Sequence, residues 1–256
     1  MTILCFHALD PDWPSPLAVE PEAFAKHCGW LGRARRVVPL EEAVRETSPS
    51  GRRANSAAAI TFDDGFDSVY RHAFPILVRQ RLPATVFVVA RTLAPGGLPV
   101  DWVDTPAPGP LRTLSLEQIL DMRDAGVGFG SHSSVHRDLT TLSEEECERD
   151  LRESRELLED LLRQPVRYLA YPRGRSDERV RRAAQRAGFA NAFTLPEARE
   201  SPGPFAIPRV GIYRGNGIRH LRIKSARWYL PLRTNPVYCM VRRAIGSGAG
   251  HAGPPG

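Results

Sequence analysis

Two short segments contain residue types that could bind a metal ion and move protons. In the first, Thr61-Phe62-Asp63-Asp64-Gly65, an apolar run ends in two adjacent carboxylates and a glycine. One carboxylate of such a pair can bind a cation while the other accepts a proton, because the charge of the cation keeps both ionised. The same residues also suit an ordinary turn, in which aspartate caps a helix and glycine adopts a positive φ. Taken alone, this segment leaves both interpretations open.

The second segment covers residues 130–136 and contains His132 and His136. Imidazole binds zinc, cobalt, nickel or iron, and two histidines four residues apart lie on one face if the segment turns helically. Surface histidines account for most pairs with this spacing. Together with Asp64, however, the two histidines would give three ligands from the ends of two strands. Three protein ligands leave coordination positions open, which is typical of a catalytic metal site.

Short apolar runs alternate with longer helical patterns along the chain, which is typical of repeated βα units around a parallel sheet. Both segments follow predicted strands, at the carboxyl edge where such folds place their active sites. A stretch rich in proline and glycine, residues 93–110, is predicted to be a surface loop that shapes a cleft. The predicted strands are residues 3–6, 57–62, 85–90, 127–130, 167–171, 190–194 and 207–211, and the predicted helices are residues 21–31, 68–80, 115–124, 143–162 and 177–187.

As a set, the two segments resemble the T-F-D-D-G and H-[ST]-x-x-H motifs of the polysaccharide deacetylase family, also called the NodB homology domain or carbohydrate esterase family 4. The resemblance covers roughly residues 3–223. It implies an α/β fold, a distorted (β/α)7 barrel in a single domain. It also implies that Asp63 is the general base and that Asp64, His132 and His136 bind a divalent metal. Zinc is the expected ion, with cobalt, nickel, manganese and iron as alternatives.

The sequence departs from the family at the R-P-P-Y-G motif, where it has Ala170-Tyr171-Pro172-Arg173-Gly174. In the family, the backbone N–H at the tyrosine position helps to bind the oxyanion. The resemblance therefore implies that the main-chain amide of Arg173 has this role, which a change of side chain need not abolish. The arginine that steadies the catalytic carboxylate is missing, because alanine stands in its place. Arg209, within the last predicted strand, is the candidate to replace it, and a surface cation is the alternative.

A second departure concerns the general acid. The late L-x-H motif of the family has no match after residue 137 except a poorly placed His220, whereas His7 closes the first predicted strand. This arrangement resembles the circularly permuted branch that includes poly-N-acetylglucosamine deacetylases. It implies that His7 protonates the leaving amine, since histidine titrates near neutrality. The alternative is a histidine that is satisfied by a backbone hydrogen bond. His27, His72, His220 and His251 are interpreted as surface residues.

The length of 256 residues and the 42% hydrophobic content suit one catalytic domain, predicted at residues 1–225. Residues 226–245 form a basic and aromatic extension, and residues 246–256 are predicted to be disordered. The net charge of +6 favours anionic partners, although a solvated basic surface would also explain it. No motif indicates nucleic-acid binding. The extension could rest on an anionic membrane, or form a helix packed on the barrel.

The predicted reaction is removal of the N-acetyl group from an amino sugar, giving a free amine and acetate. An O-deacetylase, a cyclic amide or imide hydrolase, and a catalytically silent carbohydrate-binding domain are the alternatives. The four cysteines have no C-x-x-C spacing and are expected to be free thiols. No signal peptide or membrane-spanning run is evident, so a cytoplasmic protein with a nucleotide-linked, lipid-linked or other small acetylated substrate is expected. The sequence does not indicate an oligomeric state.

Overall fold

The structure, a computed structural model, describes residues 1–47, 57–196, 202–235, 237, 238 and 240. Its strands form one parallel sheet in the order β8-β7-β6-β5-β4-β3-β1-β9, and β2 pairs with β3 beside this path. The strands are β1 (Thr2–Phe6), β2 (Arg36–Val37), β3 (Ala57–Phe62), β4 (Ala84–Val88), β5 (Gly128–Ser131), β6 (Tyr168–Ala170), β7 (Asn191–Thr194), β8 (Ile207–Pro208) and β9 (Val210–Gly211).

The last predicted strand closes the sheet into a barrel. Its first half, β8, pairs with β7, and its second half, β9, pairs with β1 at the other end of the sheet. Arg209 lies between the two halves, and its backbone N–H donates to the carbonyl of Thr194 over 2.9 Å. Counting β8 and β9 as one interrupted strand gives seven barrel strands beside the short β2. The prediction of a single-domain (β/α)7 barrel is therefore confirmed.

Helices cover the outside of the barrel. The helices are α1 (Pro21–Ala34), α2 (Leu40–Thr47), α3 (Phe74–Gln80), α4 (Leu116–Asp124), α5 (Glu144–Leu162), α6 (Glu178–Arg186), α7 (Ile218–Lys224) and α8 (Tyr229–Arg233), with a π-helix at Val69–Ala73. The predicted helix 68–80 is therefore a π-helical turn followed by α3. The sequence prediction missed β2, α2 and α7, which are too short to show a clear period. The predicted tail, residues 246–256, lies outside the described residues.

Side chains alternate along the strands between the core under the helices and the interior of the barrel, where the polar residues lie. Leu4 and Phe6 of β1 belong to the large apolar cluster that joins the sheet to the helices, whereas Ile3 belongs to a smaller cluster with Ala59. Successive side chains of a strand point to opposite faces, so Cys5 shares the barrel-interior face with Ile3. On β3, Thr61 and then Asp63 continue the face of Ala59. The interior is thus apolar at one end and becomes polar at the carboxyl end.

One histidine that was expected at the surface is buried, and the described cysteines are free as expected. His27 was interpreted as a surface residue, but it is 1% exposed within α1 and packs near the ring of Phe6. The surface interpretation is wrong because His27 falls on the same helical stripe as Phe24 and Leu31, at spacings of three and four residues. The three described cysteines are free and buried, and Cys239 lies outside the described residues.

Candidate active site

A cleft with a volume of about 420 Å³ opens at the carboxyl end of the barrel strands. Parallel barrels place their functional residues at this end, because the loops that follow the strands meet there. All seven residues singled out from the sequence line the cleft: His7, Asp63, Asp64, His132, His136, Arg173 and Arg209. The barrel therefore brings together residues that are separated by up to two hundred positions in the chain.

Asp64, His132 and His136 form a compact buried group. The Oδ1 atom of Asp64 lies 3.5 Å from Nε2 of His132 and 3.1 Å from Nε2 of His136. One ligand-type atom from each of the three residues lies within 4.8 Å of the other two. A carboxylate oxygen and two imidazole nitrogens that converge at this distance can hold one divalent cation after small side-chain adjustments.

The two histidines converge through a turn rather than a helix. The segment after β5 has no helical turn up to His136, so the condition for a shared helical face is not met. Ser133 and His136 instead adopt positive φ values of 67° and 58°. The Ser133 side chain accepts a hydrogen bond from the His136 backbone N–H, and Ser134 N–H donates to Asp150. These contacts hold the turn in shape and bring both imidazoles to the same point.

Left-handed backbone conformations are concentrated around the cleft. Six described residues other than glycine have positive φ, and four of them are Asp64, Ser133, His136 and Arg173. The other two, Arg81 and Arg163, end helices, where this conformation is common. A non-glycine residue in this region costs about 1–3 kcal/mol and usually occurs where function requires it. Asp64 needs the conformation to turn away from Asp63 and face the histidines.

The protonation states suit metal binding. The Nδ1 atom of His132 lies 2.8 Å from the carbonyl oxygen of Ala170, which fixes the ring with Nε2 towards Asp64. Burial lowers the pKa of His132 to about 4, so its imidazole is neutral at neutral pH. Burial alone would raise the pKa of Asp64, but the hydrogen bond and charge of His136 hold it below the usual value. An ionised carboxylate and a neutral imidazole are the forms that bind cations.

Asp63 lies beside this group but has a different partner. Its Oδ1 and Oδ2 atoms each accept a hydrogen bond of 2.7 Å from the guanidinium of Arg209. Oδ2 also accepts a contact of 3.3 Å from the thiol of Cys5. Burial alone would raise the pKa of Asp63, yet the charge of Arg209 holds it well below its usual range. The two adjacent carboxylates therefore have separate environments.

Arg209 is fixed from several sides inside the barrel. It is 1% exposed, and its guanidinium lies over the rings of Phe87 and Phe193 at 5.2 and 5.9 Å. One Nη atom also donates to Oγ1 of Thr61 over 3.2 Å. Burial alone would lower the pKa of Arg209, but the Asp63 carboxylate raises it above the usual value. The alternative interpretation of Arg209 as a surface cation is therefore wrong.

His7 lies at the end of β1 and faces Asp63 across the cleft floor. A ring nitrogen of His7, the Cys5 sulphur and an Asp63 oxygen lie within 4.8 Å of one another. The His7 ring is stacked on Tyr213 at a centroid distance of 6.3 Å. A Cβ atom on Gly211 would come within 2.4 Å of the Tyr213 hydroxyl, so glycine is needed for this ring to lie against β9. Among the described residues, the Nδ1 atom of His7 has no hydrogen-bond partner.

Arg173 lies on a short 3-10 turn, Pro172–Gly174, that follows β6 at the cleft. Its φ of 57° and the φ of 68° at Gly174 turn the main chain sharply. A Cβ atom at Gly174 would approach Leu195 to 2.4 Å, so this position accepts only glycine without movement of the neighbouring strand. The Arg173 side chain reaches Asp104 of the long loop over 3.7 Å. The turn thus brings Arg173 and Gly174 to the wall of the cleft that Asp64, His132 and His136 also line.

Sequence reasoning missed several cleft residues. Trp102, in the predicted loop, donates from Nε1 to Asp64 Oδ1 over 3.1 Å and stacks on His136 at 4.9 Å. Lys224 lies over the ring of Tyr213 at 5.0 Å, and burial lowers its pKa to about 8. Tyr229, Leu230 and Arg233 of α8 form another wall. A tryptophan in a loop rich in proline and glycine was the one available signal.

Fold and cleft together define a (β/α) barrel whose cleft, at the carboxyl end of the strands, is lined by carboxylates, histidines and arginines. The chain belongs to the polysaccharide deacetylase family, whose sequence model matches residues 50–192. It is 25% identical over 208 residues to the poly-β-1,6-N-acetyl-D-glucosamine N-deacetylase of Staphylococcus epidermidis, covering 75% of this chain and 67% of that protein. The predicted family is therefore confirmed.

Two solved structures have the same fold. IcaB from Ammonifex degensii superposes with a TM-score of 0.71 at 26% identity, covering 88% of this chain and 97% of that one. The deacetylase PplD of Streptococcus pyogenes also gives a TM-score of 0.71, at 23% identity, covering 92% of this chain and 98% of that one. The barrel architecture is thus that of known deacetylases.

Proposed function

We propose that this protein is a metal-dependent hydrolase that removes the N-acetyl group of an amino sugar, releasing acetate and a free amine. Membership of the polysaccharide deacetylase family supports the reaction class. The relative from Staphylococcus epidermidis, named for poly-β-1,6-N-acetyl-D-glucosamine, supports an N-acetylglucosamine unit as substrate. In the part of the chain that the structure describes, no helix is both long and apolar enough to cross a membrane.

Asp64, His132 and His136 would hold the metal, since their three donor atoms converge and the protonation states of Asp64 and His132 suit cation binding. Zinc suits a site with two imidazoles and one carboxylate, and cobalt, nickel, manganese or iron could replace it. A divalent ion bound there would supply Lewis-acid stabilisation of negative charge beside the substrate carbonyl. Three protein ligands leave room for water and substrate, which a structural site would not.

Asp63 is the proposed general base. It is ionised and adjacent in sequence to the proposed ligand Asp64. Both terminal nitrogens of the Arg209 guanidinium hold it in one orientation. It would take a proton from the attacking water, while the fixed orientation avoids the entropic cost of positioning the carboxylate. Arg209 lies behind Asp63 and acts through it as a positioning residue.

His7 and Arg173 complete the proposed set of roles. His7 lies on the same side as Asp63, where one of its ring nitrogens can donate a proton to the departing nitrogen. The main-chain amide of Arg173 would stabilise the oxyanion, because its turn brings the backbone to the cleft wall. Both roles need only atoms that already line the cleft.

One observation carries the proposal: two consecutive aspartates have been given opposite partners. Asp63 pairs with the permanent cation of Arg209, while an oxygen of Asp64 lies 3.5 and 3.1 Å from the imidazole nitrogens of His132 and His136. A structural turn or a binding module would have no need for this separation. A hydrolase does, since the base must be held in one orientation while the neighbouring carboxylate converges with two imidazoles on a single point.

The test is acetate release from soluble N-acetylglucosamine oligomers by protein stripped of metal and then reloaded with zinc. Reloaded wild type should release acetate, and Asp63→Asn should lose about 10²- to 10⁴-fold in kcat while still binding zinc. Asp124→Asn, the same change on the surface at the end of α4, is the matched control. Acetylated xylan and a cyclic amide form the other arms of the assay. Activity confined to either of them, or full activity in Asp63→Asn, would refute the proposal.

A further inference from the structure

The net positive charge of this protein comes from one end of the chain. Residues 201–256 contain nine lysines and arginines and no acidic residue, whereas residues 1–200 carry a net charge of −3. Three of these cations are used internally: Arg209 pairs with Asp63, Arg214 binds several backbone carbonyls, and Lys224 donates to the carbonyl of Gly211.

Three other arginines of this segment face solvent. Arg219 and Arg222 lie on α7, and Arg227 lies between α7 and α8. None of the three has an ion-pair partner among the described residues, although exposed arginines elsewhere commonly pair with a glutamate or aspartate. These three exposed cations lie in a segment whose sequence contains no acidic residue, which suits them to bind an anionic partner.

Large apolar side chains are exposed in the same segment of the chain. Eight are exposed in the described part of the chain, and six of them fall between residues 223 and 240. Ile223 is 48% exposed, Trp228 52% and Leu232 47%. We call the nine side chains concerned the basic apolar surface: Arg219, Arg222, Ile223, Arg227, Trp228, Leu232, Val237, Tyr238 and Met240. Cations with exposed tryptophan and leucine are the composition of a segment that lies in a membrane interface.

The basic apolar surface borders the active-site cleft. In α8, Tyr229, Leu230 and Arg233 line the cleft, while Leu232 and the preceding Trp228 face solvent. Residues one turn apart share a face of a helix, so the two sides of this single turn have separate contacts. Whatever binds the outer side of α8 is therefore held next to the mouth of the cleft.

We infer that the basic apolar surface docks on an anionic lipid bilayer and presents the cleft to N-acetylated amino sugars carried on that membrane. This inference rests on the proposed function for the substrate but not for the docking. The arginines would meet lipid headgroups, while Trp228 and Leu232 would enter the interface between headgroups and acyl chains. Membrane docking explains why cations and apolar groups occur together beside the active site.

Two other partners fit less well. A nucleic acid would bind the arginines, but Ile223, Leu232 and Met240 would gain nothing from phosphates. A second copy of the chain would bury the apolar groups, yet a symmetric dimer would place two clusters of unpaired arginines against each other. An anionic bilayer satisfies both kinds of side chain.

The first test measures co-sedimentation with vesicles of phosphatidylcholine and phosphatidylglycerol. Wild type should bind these vesicles and not vesicles of phosphatidylcholine alone, and binding should weaken with salt. Arg219→Gln/Arg222→Gln/Arg227→Gln should bind about 100-fold more weakly, at about fivefold for each arginine. The matched control is Arg79→Gln/Arg149→Gln/Arg167→Gln, which removes the same charge from exposed positions elsewhere. Equal binding by the two triple variants would overturn the inference.

A second pair of variants tests the apolar contribution. Leu232→Ser should weaken vesicle binding about tenfold, because a half-exposed leucine would lose its burial in the interface. Val78→Ser changes a side chain of similar exposure on α3 and should bind like wild type. If Leu232→Ser binds vesicles as well as Val78→Ser does, while heparin competes fully, the surface is a polyanion site and the inference is wrong.

Turnover separates docking from catalysis. The substrates are a soluble N-acetylglucosamine oligomer and an N-acetylglucosamine joined to an alkyl lipid in the anionic vesicles. The variant Arg219→Gln/Arg222→Gln/Arg227→Gln should keep wild-type turnover of the soluble substrate and lose at least tenfold on the vesicle-borne one. Vesicle binding without any acetate release would refute the proposed function and leave the docking intact. Normal acetate release without vesicle binding would refute the docking alone.

Discussion

The guanidinium of Arg209 donates a hydrogen bond of 2.7 Å to each carboxylate oxygen of Asp63, although the two residues are 146 positions apart in the chain. The pair lies where β8 gives way to β9, so the residue that interrupts the last barrel strand also orients the proposed base. A buried ion pair contributes little net stability, because removing both charges from water costs about as much as their attraction returns. Its value here is the fixed orientation of Asp63.

The ion pair predicts opposite results for single and paired substitutions. Arg209→Met leaves a buried carboxylate without its counter-charge and should lower the free energy of unfolding by about 3–5 kcal/mol. Asp63→Leu/Arg209→Met removes both charges and should recover most of this loss, while abolishing activity. Urea denaturation measures both effects. A double variant no more stable than Arg209→Met would show that the pair is needed for folding rather than for orientation.

The fold and the central site could be read from the sequence because their signals are local. Asp63, Asp64, His132 and His136 are each adjacent to a recognisable apolar strand, and alternation of strands and helices indicated the barrel. Arg209 was found only by asking which cation could replace a missing one. The positive φ values at Ser133 and His136 had no such signal, since they depend on contacts to Asp150 and other distant groups.

The cleft walls were less predictable for the same reason. Trp102 lies in a loop without secondary structure, and its contact with His136 is decided by how the loop folds back over the barrel. Likewise, Leu230 meets the cleft only because α7 and α8 return to it after the barrel has closed. Short-range patterns specify strands and helices, but not where a loop or a one-turn helix lies.

The low pKa of His132 predicts how stability of the metal-free protein depends on pH. The pKa is about 4 in the folded state against a usual 6.5, so the unfolded state binds more protons between these values. The free energy of unfolding should therefore fall as the pH decreases from about 6.5 to about 4. Below about pH 4, His132 is protonated in both states and no longer contributes to the pH dependence. His132→Asn should show a flatter dependence over that window. Chemical denaturation at several pH values, with metal removed, measures the difference.

The carboxylates provide an internal reference for that experiment. The pKa values of Asp63 and Asp64 are below their usual value of 3.8, so their loss of stabilisation begins only at lower pH. In His132→Asn, the free energy of unfolding should still fall as the pH decreases below about 4, as it does in wild type. An unchanged slope between pH 6.5 and 4 in His132→Asn would show that this histidine is not buried in its neutral form.

His7 should matter only when the leaving group needs a proton. His7→Gln should lower kcat on an N-acetylated sugar by about 10²- to 10⁴-fold, the usual contribution of a general acid. An aryl acetate has a leaving group that departs as a stable anion, so His7→Gln should hydrolyse it at nearly the wild-type rate. Asp63→Asn should be slow on both substrates, because the attacking water still needs a base. Equal losses on both substrates in His7→Gln would rule out the acid role.

Trp102 should tune metal affinity without being a ligand. Its indole N–H donates to Asp64 Oδ1 and its ring stacks on His136, so it restrains two of the three proposed ligands. Trp102→Phe keeps an aromatic face for the stacking but removes the donor, and should weaken zinc binding by about 10- to 100-fold, as loss of an outer-shell partner does. Competition with a chromophoric chelator measures the zinc Kd independently of turnover. Trp30→Phe, on α1 outside the cleft, is the matched control and should bind zinc like wild type. If Trp102→Phe binds zinc as tightly as this control, the indole contributes only to the wall of the cleft and not to metal binding.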